Sequence, residues 1–147
     1  MSYRRPSIID ISKILSDDTE LSNVIKQIFT PRSPIAESLI EKRTTKTAYR
    51  KIHEHLTTVL DRAAIILSKP EPKDVSEIII GLTKGLILVE YQLARGQLSK
   101  ELGNKLKEVL TSLQDSVRET DAIKKFERAR TLLDALLVLT LSSHNKK

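Results

Sequence analysis

The chain has 147 residues, of which 39% are hydrophobic and 30% are charged, the balance of a single soluble globular domain. It contains no cysteine, which excludes disulfide bonds, thiolate metal sites and cysteine nucleophiles. Lys and Arg number 25 against 19 Asp and Glu, a net charge of +6 that suits a polyanionic partner and equally an ordinary solvated surface.

The first 43 residues predict short helices separated by breaks. Each predicted start carries a side chain that can accept a hydrogen bond from the free backbone N–H groups of a first helical turn. The segment from Thr30 to Pro34 contains two prolines and predicts a break. The expected caps are Ser7 for the first helix, Asp17 or Asp18 for the second, which ends near Phe29, and Ser33 for the third, which reaches about Glu41.

From residue 44 onward, apolar residues recur three and four positions apart, the spacing of amphipathic helices. No stretch alternates with period two for long, so the sequence predicts no sheet. We predict an all-α, single-domain bundle of about five main helices, with irregular helices over 1–43, the main bundle over 44–142 and a flexible tail over 143–147. The expected caps of the long helices are Thr44 or Thr45, then Asp74 in a capping box with Glu77, then Ser99, and finally Thr120 for a helix that ends near Leu141.

The helix predicted over residues 74–96 has the widest apolar stripe, which Ile80 and Ile87 extend. Such breadth predicts a helix that is buried on more than one side. Gly81 and Gly85 lie inside this helix, where each glycine costs about 1 kcal/mol relative to alanine. Their position predicts a close approach, either by a neighbouring helix or by another subunit or a nucleic-acid backbone.

No combination of residues predicts catalysis. His53 and His55 are two positions apart, so a helix points their rings to different sides, whereas a zinc-binding helix needs histidines four positions apart. The segment 81–85 lacks the spacing of a phosphate-binding loop. Asp17 and Asp18 are better explained as a helix cap than as catalytic carboxylates. We therefore predict no enzyme activity, no metal and no cofactor, although a triad assembled in space stays open.

Basic side chains are the candidate binding residues, with an ordinary solvated surface as the alternative. On a helix, Lys46 and Arg50 share one face with His53, beside the apolar stripe. Cations at the start of the last helix face the positive end of its dipole, an unfavourable position that a polyanion would relieve. The candidates are Lys42, Arg43, Lys46, Arg50 and Lys51 in a first cluster, Arg95 at the end of the central helix, and Lys124, Lys125 and Arg128 in a second cluster.

Three stretches carry a family resemblance. Residues 44–52 open with a Thr-Thr pair followed by an arginine, residues 88–95 contain a tyrosine and end in an arginine, and in residues 126–135 a phenylalanine precedes an acid-alanine pair. In this order they resemble the small helical subunit of type III-A CRISPR (Csm) effector complexes, over residues 44–141. The family's aromatic residue after the acid-alanine pair is replaced by an aliphatic stretch. An analogous small subunit of another CRISPR effector complex is therefore also compatible.

The resemblance implies a non-catalytic structural subunit of an antiviral ribonucleoprotein. Several copies would stack head to tail beside other effector subunits and hold guide or target RNA by its phosphates. Lys46, Arg50 and Arg95 match the family's basic positions, and Tyr91 matches a structural position. Few aromatic rings are present to stack on bases, so contacts to the RNA backbone and a strong dependence on salt are expected.

The alternative hypothesis is a helical protein-interaction module or DNA-binding regulator that dimerises through the wide Ile/Leu face. Neither a secretory signal nor an apolar stretch long enough to span a membrane is visible. The absence of cysteine suits a reducing compartment. We therefore expect a cytoplasmic protein that has RNA and protein partners and no membrane partner.

Overall fold

The computed structural model describes residues 9–40, 44–70 and 74–145, which form seven α-helices and no strand. The all-α bundle predicted from the apolar spacing is thereby confirmed for these residues. In chain order the helices are α1 (Ile11–Ser16), α2 (Asp18–Ile28), α3 (Pro34–Ile40), α4 (Lys46–Leu67), α5 (Ser76–Ala94), α6 (Lys100–Ser116) and α7 (Ala122–Asn145).

Most of the predicted helix caps are confirmed. The Asp17 side chain accepts a hydrogen bond from the Thr19 backbone at 2.8 Å, and the Ser33 hydroxyl accepts one from the Ala36 backbone at 3.1 Å. Thr45, one of the two expected residues, caps α4. Ser99 caps α6 in the same way. The cap expected at Ser7 lies outside the described residues, and α1 is instead capped by Asp10.

The expected capping box of α5 is wrong. The Asp74 carboxylate accepts hydrogen bonds from the backbone and the hydroxyl of Ser76, whereas Glu77 pairs with Arg62 of α4 at 2.8 Å. A contact across two helices therefore replaces the local reciprocal cap. The last helix also differs from the prediction, since α7 begins at Ala122 and continues into the segment expected to be a tail, as far as Asn145.

The helices form one bundle around a single hydrophobic core. Helix α4 packs against α7 on one side and α5 on the other, and α6 packs against α5 and α7. The short helices α1, α2 and α3 lie against α7, and α1 and α3 also contact α6. Their buried side chains, which include Ile14, Leu15, Ile28 and Leu39, join the same cluster of apolar residues as those of the long helices.

The two glycines inside α5 allow close packing against α4. A Cβ atom at Gly85 would lie 2.6 Å from Cδ2 of Leu56, and one at Gly81 would lie 2.9 Å from both γ carbons of Val59. A ring nitrogen of His55 also lies 3.0 Å from the Gly81 carbonyl oxygen. The close approach predicted for these glycines is thus made by a neighbouring helix of the same chain.

Helix α5 is buried on more than one side, as expected, but part of its apolar stripe is uncovered. Among the described helices, α5 contacts only α4 and α6. Ile78 is buried, but 53% of Ile80 and 64% of Ile87 are exposed. The wide apolar stripe therefore leaves one side of α5 uncovered. No helix within the described residues is both long enough and apolar enough to cross a membrane.

Candidate nucleic-acid interface

Three candidate cations lie on the first turns of α4. Lys46, Arg50 and Lys51 are all exposed. None of them forms an ion pair with an acidic side chain of the described residues. The first turn of α4 also contains no acidic residue, so nothing in that turn compensates the positive end of the helix dipole. Unpaired charge therefore accumulates here. Lys42 and Arg43, the other members of the first cluster, lie outside the described residues.

Arg95 lies at the same end of the bundle. It follows α5 directly, and two residues later the Gln97 carbonyl accepts a hydrogen bond from the Thr45 backbone at 2.9 Å, one residue before α4 begins. The Ser99 backbone donates to the Thr44 hydroxyl at 2.8 Å. These bonds hold the end of α5, the start of α4 and the start of α6 together. Arg95 is exposed and has no acidic partner among the described side chains.

Tyr91 lies beside Arg95 on the exposed side of α5. Its side chain is 54% exposed, and the Arg95 guanidinium lies 5.4 Å from the centre of its ring, within the range of a cation–π interaction. Tyr91 shares a helical face with Ile87 and Ile80, which are also exposed. Periodicity alone does not indicate which part of a wide stripe a neighbour covers.

The second basic cluster lies at the opposite end of α4. Ala122 and Ile123 at the start of α7 line a cleft of about 320 Å³ together with Leu67, the last residue of α4, and Val75. Lys124, Lys125 and Arg128 follow directly on α7. The two predicted clusters therefore lie at opposite ends of α4 and do not form one continuous surface.

Most of the charge in this second cluster is already paired within the chain. Lys125 binds Glu119 at 2.9 Å. Arg128 donates to the Asp18 carboxylate at 2.7 Å and to the Leu15 carbonyl at 2.9 Å, and only 14% of its side chain is exposed. Arg128 thereby fastens α1 and α2 to α7. Lys124 alone is exposed and unpaired among the described members of this cluster.

The Arg128–Asp18 pair predicts an effect at acidic pH. The Arg128 hydrogen bond, followed by its charge, lowers the pKa of Asp18 in the folded state. The stabilisation from this pair is therefore fully present above the unfolded-state pKa of aspartate, about 3.9, and is lost as the pH falls through the lower folded-state value. We expect Arg128→Gln to raise the pKa of Asp18, measured by NMR titration of its carboxyl carbon.

Asp74 provides the matched control for this titration. Its pKa is lowered by hydrogen bonds from Ser76 and not by an arginine. The pKa of Asp74 should therefore stay the same in the Arg128→Gln protein. An unchanged pKa of Asp18 in that variant, or equal changes at both aspartates, would contradict the assignment of the pair.

A polar network between α4 and α7 was not anticipated from the sequence. A ring nitrogen of His53 lies 2.8 Å from the Asp134 carboxylate, which Arg130 also approaches at 3.3 Å. Arg130 also binds Asp61. His53 therefore contacts α7, and it is not exposed beside Lys46 and Arg50. Within the described residues, no three His, Asp or Glu side chains are grouped so that they could hold a metal ion.

No protein-family model, curated protein or solved structure matches the chain. The functional argument therefore depends on the charges and contacts described above, together with the resemblance of the three sequence stretches. Four of the candidate cations predicted from the sequence are exposed and unpaired at the end of the bundle where α4 begins and α5 ends. We call them the basic end: Lys46, Arg50, Lys51 and Arg95.

Proposed function

We propose that the chain is a non-catalytic RNA-binding structural subunit of a CRISPR RNA-guided effector ribonucleoprotein. It would hold guide or target RNA through phosphate contacts at the basic end. The observation that carries this proposal is the grouping of four exposed cations that have no acidic partner among the described residues. The resemblance of the three sequence stretches supplies the ribonucleoprotein context.

The contrast between the cations of the second cluster and those of the basic end supports phosphate binding at the basic end. At the start of α7, acidic side chains of the same chain take up the charges of Lys125 and Arg128. At the basic end, the acidic side chains of the described residues do not take up the charge, so the cations remain free to neutralise phosphates. Release of the counterions that surround RNA would then contribute to the binding free energy.

The contacts of His53 and His55 support a role without catalysis. His53 is engaged with Asp134, and His55 is held against the Gly81 carbonyl in the packed α4–α5 contact. A general base must reach the proton of a bound substrate. Both rings are instead used to join helices, and neither belongs to the basic end.

Neutralising three cations of the basic end tests the proposal. The variant Lys46→Gln, Arg50→Gln, Arg95→Gln is expected to bind single-stranded RNA about tenfold or more weakly at low salt, because three phosphates are no longer neutralised by the protein. The slope of log affinity against log salt should become shallower by about 0.7 for each of these phosphates. Fluorescence anisotropy with a labelled RNA, measured over a series of salt concentrations, gives both quantities.

The matched control carries the same charge change on other parts of the surface. Lys26, Lys69 and Arg118 are exposed and have no acidic partner among the described side chains. Their replacement by glutamine should leave the salt slope unchanged. Equally weakened binding in both triple variants would assign binding to overall charge and not to the basic end. Undetectable binding of the unsubstituted protein in low salt would reject the proposal.

A further inference from the structure

Tyr91 is an exposed aromatic ring that lies between two unpaired cations of α5. It is 54% exposed, and the Arg95 guanidinium lies 5.4 Å from the centre of its ring. Lys84 precedes Tyr91 by about two turns of helix, which places both residues on the same side of α5. Lys84 is exposed and, like Arg95, has no acidic partner among the described side chains. We call Lys84, Tyr91 and Arg95 the α5 strip.

The acidic side chains of α5 do not neutralise this strip. Glu77 pairs with Arg62 of α4 at 2.8 Å. Glu90 pairs with Lys107 of α6, also at 2.8 Å. Each carboxylate of the helix is thus paired with a cation of a neighbouring helix. The cations of the α5 strip therefore remain available to an anionic partner.

The α5 strip is continuous with the basic end. Glu77 lies about two turns before Lys84 and about five turns before Arg95, so all three lie on the same side of α5. The pair between Glu77 and Arg62 shows that this side borders α4. On α4, Lys51 lies about three turns before Arg62 and therefore on the same side of that helix. Lys51 and Arg95, two cations of the basic end, thus border the open surface that contains the strip.

The arrangement of these side chains fits an unpaired nucleic-acid strand. Proteins bind such strands with cations that follow the phosphates and with aromatic rings on which bases stack, and arginine adds a cation–π contribution. Lys84 and Arg95 lie about 16 Å apart along the helix axis. Between them, Tyr91 and Ile87 are both more than half exposed and provide an apolar surface. The charges match the phosphates of a strand, and the apolar surface matches a base that is not stacked on its neighbours.

We propose that the α5 strip binds an unpaired segment of RNA, with one base stacked on Tyr91 and the flanking phosphates bound by Arg95 and Lys84. This inference rests on the proposed function and narrows it, because it assigns a single strand and not a duplex to this part of the surface. In an A-form duplex the bases are stacked on one another, and side chains cannot read its narrow major groove. A duplex therefore offers Tyr91 no free base.

Replacing the aromatic ring tests the stacking contact. Tyr91→Leu is expected to bind a labelled single-stranded oligouridine about fivefold or more weakly, which is the lower end of the effect of losing one base–aromatic stack. Tyr91→Phe keeps the ring and should bind as tightly as the unsubstituted protein. The matched control is Phe29→Leu, because Phe29 is a 45% exposed ring at the end of α2 and lies off the α5 strip. It should leave the affinity unchanged. Fluorescence anisotropy measures all four proteins.

A change in the RNA separates stacking from charge. An oligonucleotide of the same length that is built from abasic nucleotides keeps the phosphates and lacks the bases. The unsubstituted protein should bind it about fivefold or more weakly than oligouridine, whereas Tyr91→Leu should bind the two equally well. A duplex RNA should be bound equally by both proteins. The slope of log affinity against log salt should also be equal in both, because Tyr91→Leu removes no phosphate contact.

The variant Lys84→Gln tests whether the phosphate contacts extend along α5. The slope of log affinity against log salt for oligouridine should become shallower by about 0.7, because one phosphate is no longer neutralised by the protein. Lys69→Gln is the matched control, since Lys69 is exposed after the end of α4 and has no acidic partner among the described side chains. It should leave the slope unchanged.

Three results would overturn the proposal. The first is a Tyr91→Leu protein that binds oligouridine as tightly as the unsubstituted protein, which would assign the exposed side of α5 to a protein partner. The second is an equal loss of affinity for oligouridine and for the abasic oligonucleotide in Tyr91→Leu. The third is an unchanged salt slope in Lys84→Gln. The triple glutamine variant of the basic end would still weaken RNA binding in each case if the proposed function is correct, so the two failures are distinguishable.

Discussion

Replacing Leu56 with alanine is expected to lower the free energy of unfolding by about 2–5 kcal/mol, because the side chain is fully buried and its removal leaves a cavity between α4 and α5. The size of this effect should depend on Gly85. A Cβ atom at that position would lie 2.6 Å from Cδ2 of Leu56. Gly85→Ala alone therefore overpacks the contact, at a cost of about 1–3 kcal/mol that outweighs its gain in helix propensity.

In the Leu56→Ala background the effect of Gly85→Ala should reverse. The added methyl group then occupies space that Leu56 has vacated, so the second substitution should recover part of the missing stability. Urea unfolding of the two single variants and the double variant measures the coupling free energy, which we expect to be about 1–3 kcal/mol. Unfolding must be two-state in all four proteins for this comparison.

Gly103→Ala serves as the control for that cycle. A Cβ atom at Gly103 would meet Leu93 across the α5–α6 contact and not Leu56. The loss of unfolding free energy caused by Gly103→Ala should therefore add to the loss caused by Leu56→Ala, without coupling. If the effects of Gly85→Ala and Leu56→Ala prove additive as well, the contact between Gly85 and Leu56 is not the cause of the destabilisation by Gly85→Ala.

Tyr49 is the second position with a large expected effect. Its ring is fully buried, and its hydroxyl donates a hydrogen bond to the Leu133 carbonyl of α7 at 3.0 Å. Tyr49→Ala should lower the free energy of unfolding by about 3–5 kcal/mol, as for other buried aromatic residues. Tyr49→Phe removes only the hydrogen bond and should cost about 1 kcal/mol. Denaturant unfolding at neutral pH measures both effects.

The same tyrosine predicts a loss of stability at alkaline pH. Burial, and secondarily the negative charge of Asp134, raises the pKa of the Tyr49 hydroxyl in the folded protein. The stabilisation is therefore present below the unfolded-state pKa of tyrosine, about 10, and is lost as the pH rises above that value. Tyr49→Phe should show a weaker decline of stability over this range than the unsubstituted protein.

Absorbance and circular dichroism recorded together provide the check. Comparison with Tyr49→Phe isolates the tyrosinate signal of Tyr49, which should develop only as the helical signal disappears. A tyrosinate signal from Tyr49 in the intact fold would contradict the burial that raises its pKa.

Several helix caps and the location of the basic end could be predicted from the sequence. Local side-chain chemistry determines a cap, so Asp17, Ser33 and Ser99 can be recognised without knowledge of the fold. A short connection between α4 and α5 makes neighbouring helices antiparallel, which places the end of α5, and Arg95, near the start of α4.

The ion pairs of the second cluster could not be predicted in this way. Arg128 and Asp18 are separated by 110 residues, and nothing local indicates that α2 lies against α7. The exposure of Ile80 and Ile87 was missed for a related reason. Periodicity gives the width of an apolar stripe, but the number of helices that cover it depends on how the whole chain packs.

The α4–α7 contact joins parts of the chain that are distant in sequence, since Tyr49 and Leu133 are 84 residues apart. The α4–α5 and α5–α6 contacts join consecutive helices, which close shorter loops at a smaller entropic cost. During translation α7 leaves the ribosome after the other described helices. The side of α4 around Tyr49 therefore stays uncovered until synthesis has passed α7. A nascent chain that stalls before that point exposes this apolar surface to chaperones.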